Sequence, residues 1–247
     1  MEMNCCLPNN TSSNEHPLTR EHGLPHLEHP SEKYSLNWKI NQAGLGWLSL
    51  GNYFGYSTVL IKVRKIQKPQ NGFPMLQPAF HPNIIGLVEA FYDEGVVYLT
   101  YNYSGLVVSL AQVVSTPTVK VNELEIATIC WDVLRGLEYL HKTLDMGHGN
   151  IDSSNIVLFA DGTIKIANIG DSMLEDTQTS FIDDRESLAS LLLGLDQPTN
   201  HVSRVTGEQT HKVTLSTYAL HFIENLGPAS YSYLFEVGPK EYYLDKS

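Results

Sequence analysis

Hydrophobic and polar positions change their rhythm along the chain, and each rhythm predicts a different element. Residues 1 to 33 have no rhythm: they are rich in Asn, Ser, Pro, His and Glu, and read as a flexible N-terminal tail. His16, His22, His26 and His29 fall there with a spacing that fits no standard metal site, so they read as solvated histidines. From Tyr34 the segments "YSLNWKI", "WLSLGNYFGY" and "TVLIKVRK" are short, rich in β-branched and aromatic residues, and separated by Gly and Asn, which predicts strands and turns. "QKPQNGFPMLQP" carries three prolines and a glycine and leaves no room for a long helix. "NIIGLVEAFYDEGVVYLTYNY" predicts a hairpin with its turn at "YDEGVV".

The period then lengthens. Asn122 and Glu125 have the spacing of a helix-capping pair, and Ile126, Ile129, Val133, Leu137 and Leu140 follow on one face of a core helix. "NIVLFADGTIKIANIG" predicts two short strands joined by a glycine-containing turn. "DDRESLASLLLGL" predicts a helix apolar on most sides after Ser187, hence buried, and "LSTYALHFIENL" predicts another. "YLFEV" and "YYL" read as a final apolar segment. A sheet-rich first part before a helical second part is an α+β, two-lobed layout.

Composition narrows the picture. With 247 residues and 42% hydrophobic positions the chain suits one good-sized domain or two small lobes. A formal net charge of -11 argues against a nucleic-acid footprint and against docking on anionic lipid. Cys5, Cys6 and Cys130 form neither a disulfide framework nor a zinc spacing. The N-terminus lacks the basic and apolar regions of a secretory signal. An intracellular setting, cytoplasmic or nuclear, is expected.

Seven strings in order resemble the protein-kinase family, closest to its PAK-like serine/threonine branch. "VLIK" ending in Lys62 resembles the β3 lysine motif. "HPNIIGL" precedes a strand, and "VYLTYNY" resembles the approach to the hinge, with Tyr101 as gatekeeper and Tyr103 in the hinge. "LRGLEYLH" closes the long helix. "HGNIDSSN" stands at the catalytic loop, "NIG" at the metal-binding loop, and "DRESLA" at the start of the buried helix. The resemblance implies a kinase-like fold with a reduced helix C, a short activation segment and a truncated C-lobe. Residues 34–104 would form the antiparallel-sheet N-lobe and residues 105–247 the mainly helical C-lobe.

Set against that family's chemistry, the site is altered. Asn150 stands where the catalytic aspartate is expected. An amide is no base, and loss of a general base commonly costs about 10²- to 10⁴-fold. Gly149 stands in place of the preceding arginine. Asn168 replaces the metal-binding aspartate, and magnesium favours hard anionic oxygen. Asn155 matches the second metal ligand and is the one weak metal candidate. Asp152 takes the place of a loop lysine, where its charge would repel a nucleotide; Asp152 and Asp171 are also weighed as a displaced base or ligand. Lys62 matches the phosphate-binding lysine, but no Asp or Glu lies between Lys62 and His81 to pair with it. Nucleotide-binding candidates are Lys62, Gly44, Gly46, Leu60, Tyr101, Tyr103, Asn155 and Val157. Leu60 adds bulk that would fill the adenine pocket. His148 and Asp184 are assigned structural roles.

The expectation is therefore a degenerate kinase: not an enzyme, without cofactor (ATP with magnesium being the ligand the resemblance would imply), acting as an interaction, scaffold or regulatory module. Its partner would be a protein, an active kinase or its substrate, with homodimerisation an open alternative. The competing readings are a nucleotide-binding switch and a weak ATP-dependent serine/threonine kinase.

Overall fold

The computed structural model describes residues 24–52, 57–66, 76–116, 119–175, 180–195 and 215–238. Five strands form an antiparallel sheet: β1 (Tyr34–Asn41), β2 (Leu45–Gly51), β3 (Val59–Lys65), β4 (Leu87–Asp93) and β5 (Val96–Asn102). Their order across the sheet is β1-β2-β3-β5-β4. Alternation along central β3 divides its side chains between two faces. Val59 and Ile61 join a cluster with Tyr34 and Phe91. Leu60, Lys62 and Arg64 face the other way, toward the second lobe, and this periodicity is what delivers Lys62 to the interlobe cleft. The β4–β5 turn falls where "YDEGVV" predicts, with Glu94 and Gly95 both at positive φ.

The predicted tail is shorter than 33 residues. Residues 24 to 33 are packed on the sheet: the His26 N–H donates to the Ala90 carbonyl at 2.8 Å and the Tyr92 N–H donates to the His26 carbonyl at 2.8 Å. The His26 ring lies 5.3 Å from that of Phe91, and His29 meets Tyr98 edge-on at 4.9 Å, so these two histidines are not solvated tail groups. Edge strand β4 has unpaired backbone groups, and this strap satisfies some of them. Backbone pairing leaves little periodic trace in sequence. His16, His22, Cys5 and Cys6 lie outside the described residues.

The second lobe is mainly helical. Strand β6 (Val107–Ser109) pairs with β7 (Ile156–Phe159), and β7 with β8 (Ile164–Ile166). Among the described residues this lobe has six helices, in chain order α1 (Leu110–Val114), α2 (Glu123–Thr143), α3 (Ile169–Glu175), α4 (Phe181–Leu195), α5 (Thr217–Glu224) and α6 (Tyr231–Val237). The capping box at α2 is present in both directions: Asn122 N–H to Glu125 Oε2 at 2.7 Å, and Glu125 N–H to Asn122 Oδ1 at 3.0 Å. All five apolar positions read as its core stripe are buried. The "YLFEV" segment is helical as part of α6, and Phe235 meets Trp131 of α2 edge-on at 5.1 Å; "YYL" lies outside the described residues. Between Ile66 and Leu87 the described residues contain no helix.

Backbone pairing joins the lobes. Ile85 N–H donates to the Ile166 carbonyl and Ile166 N–H to the Asn83 carbonyl, at 2.8 and 2.9 Å. Gly136 lets α2 approach this junction: a Cβ there would lie 2.9 Å from the Asn83 carbonyl oxygen and 2.9 Å from Ile166 Cδ1. The backbone contact cannot be relieved by a rotamer change, so Gly136→Ala should destabilise the protein by about 1–3 kcal/mol. A lower urea midpoint at unchanged slope is the expected reading.

Candidate functional site

The cleft is built around the ammonium of Lys62, which is 2% exposed. It donates to three oxygens: the Gln42 carbonyl at 2.9 Å, the Ala43 carbonyl at 2.6 Å and Asn168 Oδ1 at 2.5 Å. Asn168 turns its amide nitrogen to the Ala43 carbonyl at 2.9 Å and to Asn155 Oδ1 at 2.7 Å. Asn155 in turn donates to the Asn150 carbonyl at 3.0 Å. The sequence candidates Lys62, Asn155 and Asn168 thus meet as one chain of hydrogen bonds that ends on the backbone of Asn150. Asn168 has φ +67°, a left-handed conformation that asparagine tolerates better than most residues. Burial lowers the Lys62 pKa to about 8, with Arg64 adding to the effect and Asp171 opposing it.

Arg64 and Asp171 form a second interlobe contact. Arg64 Nε donates to Asp171 Oδ1 and its Nη2 to Oδ2, both at 2.7 Å. A bidentate guanidinium–carboxylate pair fixes geometry as well as charge. Asp171 is therefore committed to Arg64 and is not a displaced base. Asp152 Oδ1 accepts from the backbone N–H groups of Ser154 and Asn155 and from the Ser154 hydroxyl. This corrects the expectation that its charge faces a nucleotide: it shapes its own turn, as short acidic side chains do.

His148 and Asp184, both buried, meet beneath the loop. Asp184 Oδ2 accepts from His148 N–H at 2.6 Å and faces His141 Nε2 at 2.9 Å, while Oδ1 accepts from Gly149 N–H at 2.8 Å. Burial alone would raise the Asp184 carboxyl, but these donors prevail and hold it below its ordinary value. Burial lowers the His148 pKa against the pull of the Ala167 carbonyl. Neutral His148 donates from Nε2 to that carbonyl at 2.8 Å and accepts the Asn150 N–H at Nδ1. Sequence reading missed the rest of this network: Tyr231 of α6 hydrogen-bonds His141 Nδ1 at 2.7 Å, and Phe181 stacks on the His141 ring at 4.4 Å. The only signal for it was the "YLH" that ends the long helix.

The remaining candidates separate. Gly44, at φ +98°, belongs to the β1–β2 turn. Gly46 does not belong to a loop: it pairs with Ile40 inside β2, where a Cβ would lie 2.8 Å from Leu60 Cδ1. Leu60 and Val157 are buried, and the buried Tyr101 hydroxyl accepts the Gly170 N–H at 3.2 Å. None of these three, and not Tyr103, lines the open cavity of about 730 Å³, which lies among Gly44, Arg64, Ser109, Gln112, Asn150 and Asp171. As it stands the arrangement does not fit a magnesium ion. Asn155 Oδ1 and Asn168 Oδ1 are each taken by a protein donor, and no cluster of three His, Cys, Asp or Glu among the described residues could hold a metal. No described helix is long and apolar enough to cross a membrane.

A β-sheet lobe, a helical lobe, and a buried strand lysine reaching the residue before the "IG" turn define a kinase-type cleft. Residues 61–189, just over half of the 247-residue chain, match the Protein kinase domain family. The chain belongs to the protein kinase family. It is 30% identical over 167 residues to the serine/threonine-protein kinase pakA of Dictyostelium discoideum, covering 62% of this chain and 14% of pakA. It is 28% identical over 172 residues to the serine/threonine-protein kinase shk1/pak1 of Schizosaccharomyces pombe, covering 66% and 25%. For the serine/threonine-protein kinase CLA4 of Candida albicans the identity is 33% over 103 residues, covering 40% and 10%. The chain thus spans a tenth to a quarter of the length of these relatives, and the resemblance to the PAK-like branch is upheld. This membership corrects the expectation of a non-enzyme: the family and the relatives matched are kinase enzymes, and any reading of function starts from there.

The Lys62 pKa gives a pH test with a definite sign. Its folded value of about 8 lies below the ordinary 10.5. Below pH 8 both states hold the proton and the fold bears the full cost of burying the charge. Between pH 8 and 10.5 the folded state alone releases it, so stability from this group rises with pH. Relative to Lys62→Met, the wild type should gain up to about 3 kcal/mol between pH 7.5 and 10.5 in urea denaturation.

Proposed function

We propose that this kinase-family chain acts chiefly by binding a protein partner, an active kinase or its substrate, and that its own phosphoryl transfer is slow. The observation that carries this reading is the closed set of bonds at Lys62. The lysine is spent on protein oxygens, and the amides at 155 and 168 are spent on each other and on the loop. Asn150 lies against the open cavity, but its amide cannot accept a substrate proton. Lacking that base, transfer should run about 10²- to 10⁴-fold below the rate a carboxylate at the same place would support. The reading implies an intracellular setting, where active kinases are met.

Two measurements test it. Phosphate transfer to a generic serine/threonine substrate is followed with labelled ATP for the wild type and for Asn150→Asp with Asn168→Asp. The double variant should be at least about tenfold faster. Equal rates, with the wild type turning over at the typical kinase rate of about 1–100 per second, would make catalysis the main output and sink the proposal. In parallel, a purified active PAK-like kinase is titrated against the chain by light scattering. A complex that persists in Lys62→Met supports the binding role, because it does not depend on the cleft lysine.

A further inference from the structure

We propose that the β1–β2 loop, Gln42 to Gly44, is an autoinhibitory plug, seated in the cleft where it covers both Lys62 and the pocket floor. A tight turn between two strands needs only local bonds. This loop has them: Gln42 N–H to the Gly44 carbonyl at 3.0 Å, and Gly44 N–H to Asn41 Oδ1 at 3.2 Å. It also has four bonds to distant parts of the chain that a turn does not require. Lys62 holds the Gln42 and Ala43 carbonyls, Asn168 holds the Ala43 carbonyl a second time, and the Gln42 side chain reaches 2.9 Å to the Gly105 carbonyl. Those partners lie on β3, just before α3 and just after β5, so the loop is fastened to both lobes.

Side-chain packing completes the seat. The Ala43 methyl clusters with Val157 and Ala167 at the base of the cleft, and all three are buried. Ala43 reaches this place at φ +48°, in the left-handed region that residues other than glycine seldom adopt. Gln42 is 6% exposed, unusual for a glutamine in a surface hairpin. The carbonyls of residues 42 and 43 thus stand on the lysine where an anionic ligand would have to arrive. The methyl stands on the floor that a flat ligand would have to cover. The open cavity of about 730 Å³ is walled on one side by Ala43 and Gly44 of this loop and reaches Asn155 and Asn168, while Lys62 does not line it. A strained, polar, multiply latched insertion is bistable: it is held in place only while its partners over-determine it.

The plug controls access to the cleft whether or not transfer follows, so it stands apart from the proposed partner role. The test is acetylation of the full chain by an N-hydroxysuccinimide ester at pH 8, read by mass spectrometry with exposed Lys39 as internal reference. In the wild type Lys62 should react at least about tenfold more slowly than Lys39. In Gln42→Ala with Ala43→Leu, whose larger side chain cannot sit on Val157 and Ala167, Lys62 labelling should rise at least about tenfold. The same variant should bind trinitrophenyl-ATP at least about tenfold tighter than the wild type. Circular dichroism confirms that the variant is folded; should it unfold, Gln42→Ala alone is used, with a smaller rise in the same direction. Wild-type Lys62 labelling as fast as Lys39 overturns the plug, as does a folded variant with unchanged labelling. Faster labelling without tighter nucleotide binding overturns the autoinhibitory role and leaves a structural loop. Neither readout depends on phosphate transfer or on a protein partner.

Discussion

One buried ammonium organises the space between the lobes. Lys62 brings a positive charge into a cleft from which water is largely excluded, and such a charge persists there only with partners. The chain supplies three oxygens from two distant segments, residues 42–43 and residue 168. The position of the β1–β2 loop, the orientation of the Asn168 amide and the path of the chain into α3 follow from meeting that requirement. Arg64, two residues along the same face of β3, repeats the logic one step outward, with Asp171 as its partner. Alternation along a single strand therefore places both interlobe cations, and both are answered from one short stretch, residues 168–171.

The catalytic-loop scaffold is independent of this cleft chemistry. Asp184 fixes the backbone at His148 and Gly149, His148 ties that loop to Ala167, and Ser172 donates to the His148 carbonyl at 2.5 Å. Each bond uses backbone groups or a residue whose charge state burial and donors already set. None of them involves the side chain of Asn150. The shape of this loop and the chemistry of its side chains therefore rest on different residues and must be argued separately.

Much of the fold was legible because its signals are local. The capping box at Asn122, the apolar stripe of α2, the two glycine-containing hairpins and the strand run through Lys62 all rest on spacing within a few residues. The site was legible in its members but not in its bonding. Sequence alone placed Lys62, Asn155 and Asn168 in one cleft through the family resemblance. It could not show that they bond to one another, because that depends on rotamers and on the loop at residues 42–43. Asp152 was misread for the same reason: charge was known, direction was not. The ordered strap at residues 24–33 went unseen because edge pairing uses backbone groups that every residue carries. Tyr231 was missed because its partner His141 lies 90 residues earlier in the chain.

The asparagine at residue 168 and the seated loop are physically coupled. An amide presents two donors and an acceptor, and Asn168 uses both kinds: Nδ2 to the Ala43 carbonyl and to Asn155 Oδ1, Oδ1 to Lys62. A carboxylate in the same place has acceptors only. Its second oxygen would face the Ala43 carbonyl and Asn155 Oδ1, two further acceptors, with no proton between them. That arrangement is repulsive and calls for a cation or for withdrawal of the loop. With aspartate at residue 168, the seated loop and an unmetallated site would be mutually destabilising; with asparagine they support one another. The amide nitrogen of Asn168 is thus what lets residues 42–44 rest on the cleft floor. The link from Asn168 to Asn155 and the seat of the loop then have a single physical origin, the direction of two N–H bonds.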